Sequence, residues 1–130
     1  MERPKTVLFV DDDENILHSL RRTFVDEPIE MLFTTSGQEA LELMQQQEVD
    51  IVVSDMKMPG MGGQELLNTV RERYPQAIRI LFSGQPTVRQ EEVSSLVRAI
   101  NQGDIFKFIG KTFNMNTDVK HAIREATGVA

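Results

Sequence analysis

The chain has 130 residues, 14 Lys and Arg against 20 Asp and Glu, a net charge of −6 and no cysteine. The length suits one domain, 1–130, with a structured core over residues 6–127, and the missing cysteine excludes disulfides and Cys-ligated metal sites. An acidic chain with no Trp and no basic stripe is a poor direct partner for nucleic acid, and no apolar run approaches the roughly 18 residues of a membrane span.

Taken in order, Thr6 to Val10 predicts a short apolar strand that runs straight into Asp11, Asp12, Asp13 and Glu14. The start, Met-Glu-Arg-Pro-Lys, lacks the apolar middle of a secretory signal, so a cytoplasmic location is the expectation. Ile16, Leu17, Leu20 and Phe24 share one face of the next helix, with acids at its start where the helix dipole favours them. Asp13 is assigned to capping. After Pro28, residues 29–34 suggest a second strand. Ser36 and Glu39 spell a capping box that opens a helix with Ala40, Leu41 and Met44 inward.

Ile51, Val52 and Val53 then form a β-branched run, read as a third strand buried on both faces, as in parallel sheets. It ends at Ser54 and Asp55, and the chain breaks into Pro59, Gly60, Gly62 and Gly63, which predict a mobile loop. Leu66, Leu67 and Val70 mark a third helix, ended near Pro75. Ile78 to Phe82 is the fourth strand, leading into Ser83 and Gly84. A fourth helix follows Pro86, with a second capping box from Thr87 to Gln90. Val93, Leu96, Val97 and Ile100 face inward and Gly103 ends it. Ile105 to Ile109 is the fifth strand, ending at Gly110 and Lys111. The last helix runs from about Asn116 to Thr127, with Val119, Ala122, Ile123 and Ala126 on one face.

Five strands alternating with five helices predict an α/β, flavodoxin-like doubly wound (βα)5 fold, with a five-stranded parallel sheet in the order 2-1-3-4-5. The carboxyl ends of strands 1, 3, 4 and 5 then share the edge where such sheets bind ligands. Asp11, Asp12, Asp55, Ser83 and Lys111 meet there. Three carboxylates brought together repel one another unless a cation joins them, and hard oxygen ligands with room for water suit Mg²⁺. A carboxylate also attacks phosphorus to form an aspartyl-phosphate, a transfer that asks mainly for positioning and charge stabilisation. Mg²⁺, Lys111 and Ser83 would bind the three phosphoryl oxygens, and Asp55 would supply the attacking one.

The stretches Phe-Val-Asp-Asp-Asp, Ser-Asp-Met-Lys-Met-Pro-Gly-Met-Gly-Gly, Leu-Phe-Ser-Gly and Phe-Ile-Gly-Lys-Thr-Phe stand in this order at strand ends. Together they make the chain resemble the receiver domain of bacterial two-component response regulators, from Val7 to about Ala126. The resemblance implies that Asp55 is the phosphoacceptor and Asp12 a direct metal ligand. Asp11 would hold the metal largely through water, and the backbone carbonyl of Lys57 would be a third protein ligand. Ser83 matches the hydroxyl that follows the phosphoryl group, Lys111 the family lysine and Phe108 the aromatic switch. A sensor histidine kinase, or a small donor such as acetyl phosphate, would phosphorylate Asp55. Ser83 would then move inward and Phe108 rotate. The face of the fourth helix, fifth strand and fifth helix would change its partner: an output domain, another protein or a second copy in a homodimer. Such a chain is no enzyme, but a signalling domain that assists its own phosphorylation and dephosphorylation.

Three departures from the family pattern stand out. Thr112 replaces the proline that usually follows the lysine, and a cis Lys111–Thr112 bond would cost roughly 2.5–4 kcal/mol, so a trans bond is expected. Lys57 and Gln85 border the water path to the phosphoryl group, and a long cation there is expected to slow self-hydrolysis. Lys107 alters the charge of the signalling face. The stretch from Asn101 to Phe108 also resembles receivers attached to HD-type phosphohydrolase outputs.

Two other readings compete. A haloacid-dehalogenase-type phosphatase also uses an aspartate and Mg²⁺, but its motif would fall on Asp11, Asp13 and Asn15, and Asn15 does not fit. A degenerate receiver would act as a phosphorylation-independent interaction module, with Thr112 as the feature in its favour. His18 and His121 read as exposed helix residues, and Met56, Met58 and Met61 as residues that shape the acceptor loop.

Overall fold

The computed structural model describes residues 4–83, 98, 100, 102–103, 105–110 and 115–127. These form β1 (Lys5–Val10), α1 (Glu14–Phe24), β2 (Ile29–Thr34), α2 (Gly37–Gln46), β3 (Ile51–Asp55), α3 (Gly63–Arg73), β4 (Ile78–Ser83), β5 (Lys107–Gly110) and α4 (Met115–Thr127). Every pairing is parallel and the strand order is β2-β1-β3-β4-β5. The helix labelled α4 is the last of the five predicted from sequence. The predicted fourth helix, with its capping box, lies largely outside the described residues. Residues 98 and 100 are helical, and Gly103, at φ 80°, donates its N–H to the Ile100 carbonyl and closes that end.

The central strands are buried on both faces because each side carries helices. Val7, Phe9, Ile51, Val53, Ile80, Phe82 and Ile109 point to one face, where α1 contributes Leu17, Leu20 and Phe24, and α4 contributes Val119, Ala122 and Ile123. Leu8, Val10, Val52 and Leu81 point to the other, against Ala40 and Leu41 of α2 and Leu66 and Val70 of α3. Each such side chain contributes about 1.5–3 kcal/mol relative to exposure, so this alternation fixes the facing of every strand.

The caps act where sequence places them. Asp13 accepts the N–H of Asn15 at 2.9 Å to start α1, and Ser36 accepts that of Glu39 at 3.0 Å to start α2. At the amino edge of the sheet, Asp50 braces three strands. Its carboxylate accepts the Thr6 N–H at 2.8 Å, its own N–H donates to the Thr6 carbonyl, and its carbonyl accepts the Ile78 N–H.

One boundary moves. β5 begins at Lys107, two residues later than the apolar run predicts, because the ladder starts at Ile80 opposite Lys107. Ile105 is buried before the strand starts, and the Phe106 N–H donates to the Arg79 carbonyl at 2.7 Å.

Candidate functional site

The register of β1 and β3 builds the site. Val10 lies opposite Ser54, so the following residues, Asp11 and Asp55, emerge side by side at the carboxyl edge. Asp11, Asp12 and Asp55 each offer a carboxylate oxygen, and the three oxygens lie within 4.8 Å of one another. Asp11 is fully buried, Asp55 is 6% exposed and Asp12 faces solvent. Like charges this close destabilise one another unless a cation joins them.

The three consecutive acids divide the work. Asp11 Oδ1 accepts the N–H of Asp13 at 2.9 Å, and its backbone N–H donates to the Thr34 carbonyl, which ties the site to β2. The other carboxylate oxygen of Asp11, Oδ2, is buried as well. Asp13 is spent on capping α1. Asp12 is exposed and belongs to the cluster.

The loop behind Asp55 is anchored at both ends, contrary to the loose loop that its glycines suggest. Met56 donates its N–H to the Phe82 carbonyl at 2.8 Å, and its own carbonyl accepts the N–H of Gly63 at 2.9 Å. Met56 and Met58 are buried in the core beside α2 and α3, and Met61 packs against it. Only the crest with Lys57, Pro59 and Gly60 is exposed, and Gly60 takes the positive φ of 76° that the turn needs.

Ser83 closes β4 opposite Gly110, on the same edge as Asp55. Phe108 is half-buried opposite Leu81 and packs against the core beneath α2 and α3. Lys107, on the other face of the strand, bonds Glu125 of α4 at 3.0 Å, so its charge on that face is matched by a partner. Lys111, Thr112 and Gln85 lie outside the described residues, as does the Ser83 side chain. Sequence reading missed Arg79, whose guanidinium bonds carbonyls in the turns that lead to β4 and β5, and the role of Gly63. His18 and His121 are exposed, as expected. Among the described residues no helix is long and apolar enough to cross a membrane.

A parallel sheet in this strand order with an acidic cluster at its carboxyl edge fits a class of signalling domain. The chain belongs to the response regulator receiver domain family, which it matches over residues 7–124. It is 36% identical over 110 residues to the hydrogenase transcriptional regulatory protein HoxA of Cupriavidus necator, covering 85% of this chain and 22% of that protein. It therefore spans less than a quarter of this relative. The receiver domain of an HD domain-containing protein from Pseudomonas fluorescens superposes with a TM-score of 0.84 at 30% identity, covering 98% of this chain and 90% of the other. The response regulator TrrA of Thermotoga maritima, solved with Mg(2+)-BeF, superposes with a TM-score of 0.78 at 26% identity, over 94% of this chain and 98% of that one. The chain is thus a receiver, a phosphoacceptor signalling domain.

Proposed function

We propose that Asp55 accepts the phosphoryl group in a Mg²⁺-dependent reaction and that β5 carries the result to a partner. The observation behind this reading is the meeting of Asp11, Asp12 and Asp55 within 4.8 Å at the ends of β1 and β3. The donor set is all oxygen and all anionic, with two of its members buried, which fits Mg²⁺ better than a softer ion. Asp12, exposed, would ligate directly; Asp11 would act largely through water and the Lys57 carbonyl would complete the protein share. When bound, Mg²⁺ offsets charge on the phosphoryl oxygens.

The chain's own part is attack and positioning. An Asp55 carboxylate oxygen forms the new O–P bond while the donor's bond to phosphorus breaks and its leaving group takes the electron pair. A sensor histidine kinase or acetyl phosphate supplies the phosphoryl group. Ser83 and Lys111 hold its oxygens, and Phe108 responds. The signal leaves through the face of β5 and α4 and the helix before β5, toward an output domain, a separate protein or a second copy. The HD domain-containing neighbour and the resemblance of Asn101 to Phe108 make an HD-type output one member of that set. The reading places the chain in the cytoplasm, where histidine kinases present their phosphoryl groups.

Two features weigh against the phosphatase reading. Asp11, which would be its nucleophile, is fully buried, and Asp13 is committed to the α1 cap. The test is beryllofluoride binding with Mg²⁺, followed by amide NMR in the wild type and D55N. Shifts at Asp55 and Ser83 that reach Phe108 and vanish in D55N are expected. Wild-type shifts that persist in D55N would overturn the assignment of the acceptor.

A further inference from the structure

Arg79 is a charged residue near the start of β4, 9% exposed, in a strand whose other members are apolar except Ser83. Burial of a guanidinium is costly unless its donors are met. Here they are met by carbonyls on two separate connections. Nη1 donates to Ala77 at 3.1 Å and to Pro75 at 3.4 Å, both in the turn that enters β4. Nη2 donates to Gly103 at 3.3 Å, in the turn that leads toward β5. The backbone carbonyl of Arg79 also accepts the Phe106 N–H, directly before the β5 ladder begins.

β5 needs such a grip. It is four residues long, lies at the sheet edge and, among the described residues, pairs with β4 alone. Side chains alternate faces along a strand, so a slip of one residue would replace Phe108 on the α2–α3 side by Lys107 or Ile109. An apolar residue at position 79 would fill space but could not bind a carbonyl in the β5 connection. Arginine does both, through a rigid fork.

We infer that Arg79 is a positioning residue for the signalling step: it clamps the entry to β5 and thereby fixes the register that presents Phe108. The clamp lets Phe108 change its rotamer on a strand that itself stays in place. This inference rests on the reading of β5 as the strand that carries the signal, but its test is separable from that reading.

The test compares hydrogen exchange and the beryllofluoride response in wild type, R79M and R79K. In R79M, amide exchange at Lys107–Gly110 is expected to quicken about tenfold or more relative to that of β1, because the edge strand opens locally. Beryllofluoride still shifts Asp55, while the Phe108 signal splits or loses its response. R79K keeps the charge but offers one donor atom, and should fall between the two. Unchanged β5 exchange in R79M, or a uniform change across all strands, would overturn the clamp. If R79M fails to fold, R79K carries the test by the same criterion. Failure of both to fold would make Arg79 a global stability residue and refute a specific positioning role. A wild type that ignores beryllofluoride would refute the phosphoacceptor reading instead, whatever the β5 exchange shows.

Discussion

Gly63 and the carbonyl oxygen of Asp55 approach so closely that a single methyl group on Gly63 would overlap that oxygen and press on Leu81 as well. Gly63 is the first residue of α3, and its N–H donates to the carbonyl of Met56 at the head of the loop after Asp55. The helix therefore rests on the backbone of Asp55, the proposed acceptor. G63A is expected to destabilise the fold by about 2–3 kcal/mol, the range for overpacking a tight core. Because the shift falls on Asp55, beryllofluoride affinity should drop further than in an equally destabilised core variant such as V70A. Equal affinity in the two variants would show that the contact is structural only.

The crowded acids give a second prediction. In metal-free buffer D12N removes one of three clustered charges, and is expected to raise stability by about 1 kcal/mol, or roughly 3–5 °C in Tm. Mg²⁺ at a hundredfold excess over its Kd should stabilise the wild type by about 2.7 kcal/mol. D12N should recover less than half of that gain at the same concentration. Thermal melts with and without Mg²⁺ decide it, and an equal gain in D12N would remove Asp12 from the metal site.

Lys57 stands on the exposed crest of the loop, two residues beyond Asp55. Exposed charge interactions are worth about 0.2–1 kcal/mol, so K57A should shorten the lifetime of the phosphorylated form by about 1.4- to fivefold. Decay of the labelled phosphoprotein measures this directly. A lifetime equal to that of the wild type would leave Lys57 with no part in excluding water.

A control lies on the far side of the sheet. Asn116 of α4 donates to Ser19 Oγ and to Thr23 Oγ1, both at 2.7 Å, and so stitches α4 to α1. N116A leaves both hydroxyls without this donor and should cost about 1–3 kcal/mol in urea unfolding. Its beryllofluoride titration should match the wild type, since the seam does not touch the acid cluster.

The fold was legible because strand runs, caps and strand-end acids are local signals. Asp13 and Ser36 cap the helices they precede, and Asp11 and Asp55 meet because β1 and β3 are neighbours. What escaped depends on pairing across the chain. Lys107 reads as an added surface charge until Glu125, eighteen residues on, is brought beside it. Arg79 reads as an oddity in an apolar strand because nothing local says that Gly103 will receive its guanidinium. The start of β5 was misplaced for a related reason. Ile105 satisfies the apolar pattern from the loop, whereas the ladder begins only where Ile80 meets Lys107. The glycines after Asp55 suggest looseness, yet Met56 and Met58 bury themselves and hold the loop down.

Asp50 fastens the foot of the sheet. It sits just ahead of β3, at the opposite end from Asp55, and ties β1 and β4 to β3 there. The ladder runs on from these bonds to Asp55 opposite Phe82, so the carboxylate stands on a frame held along its whole length.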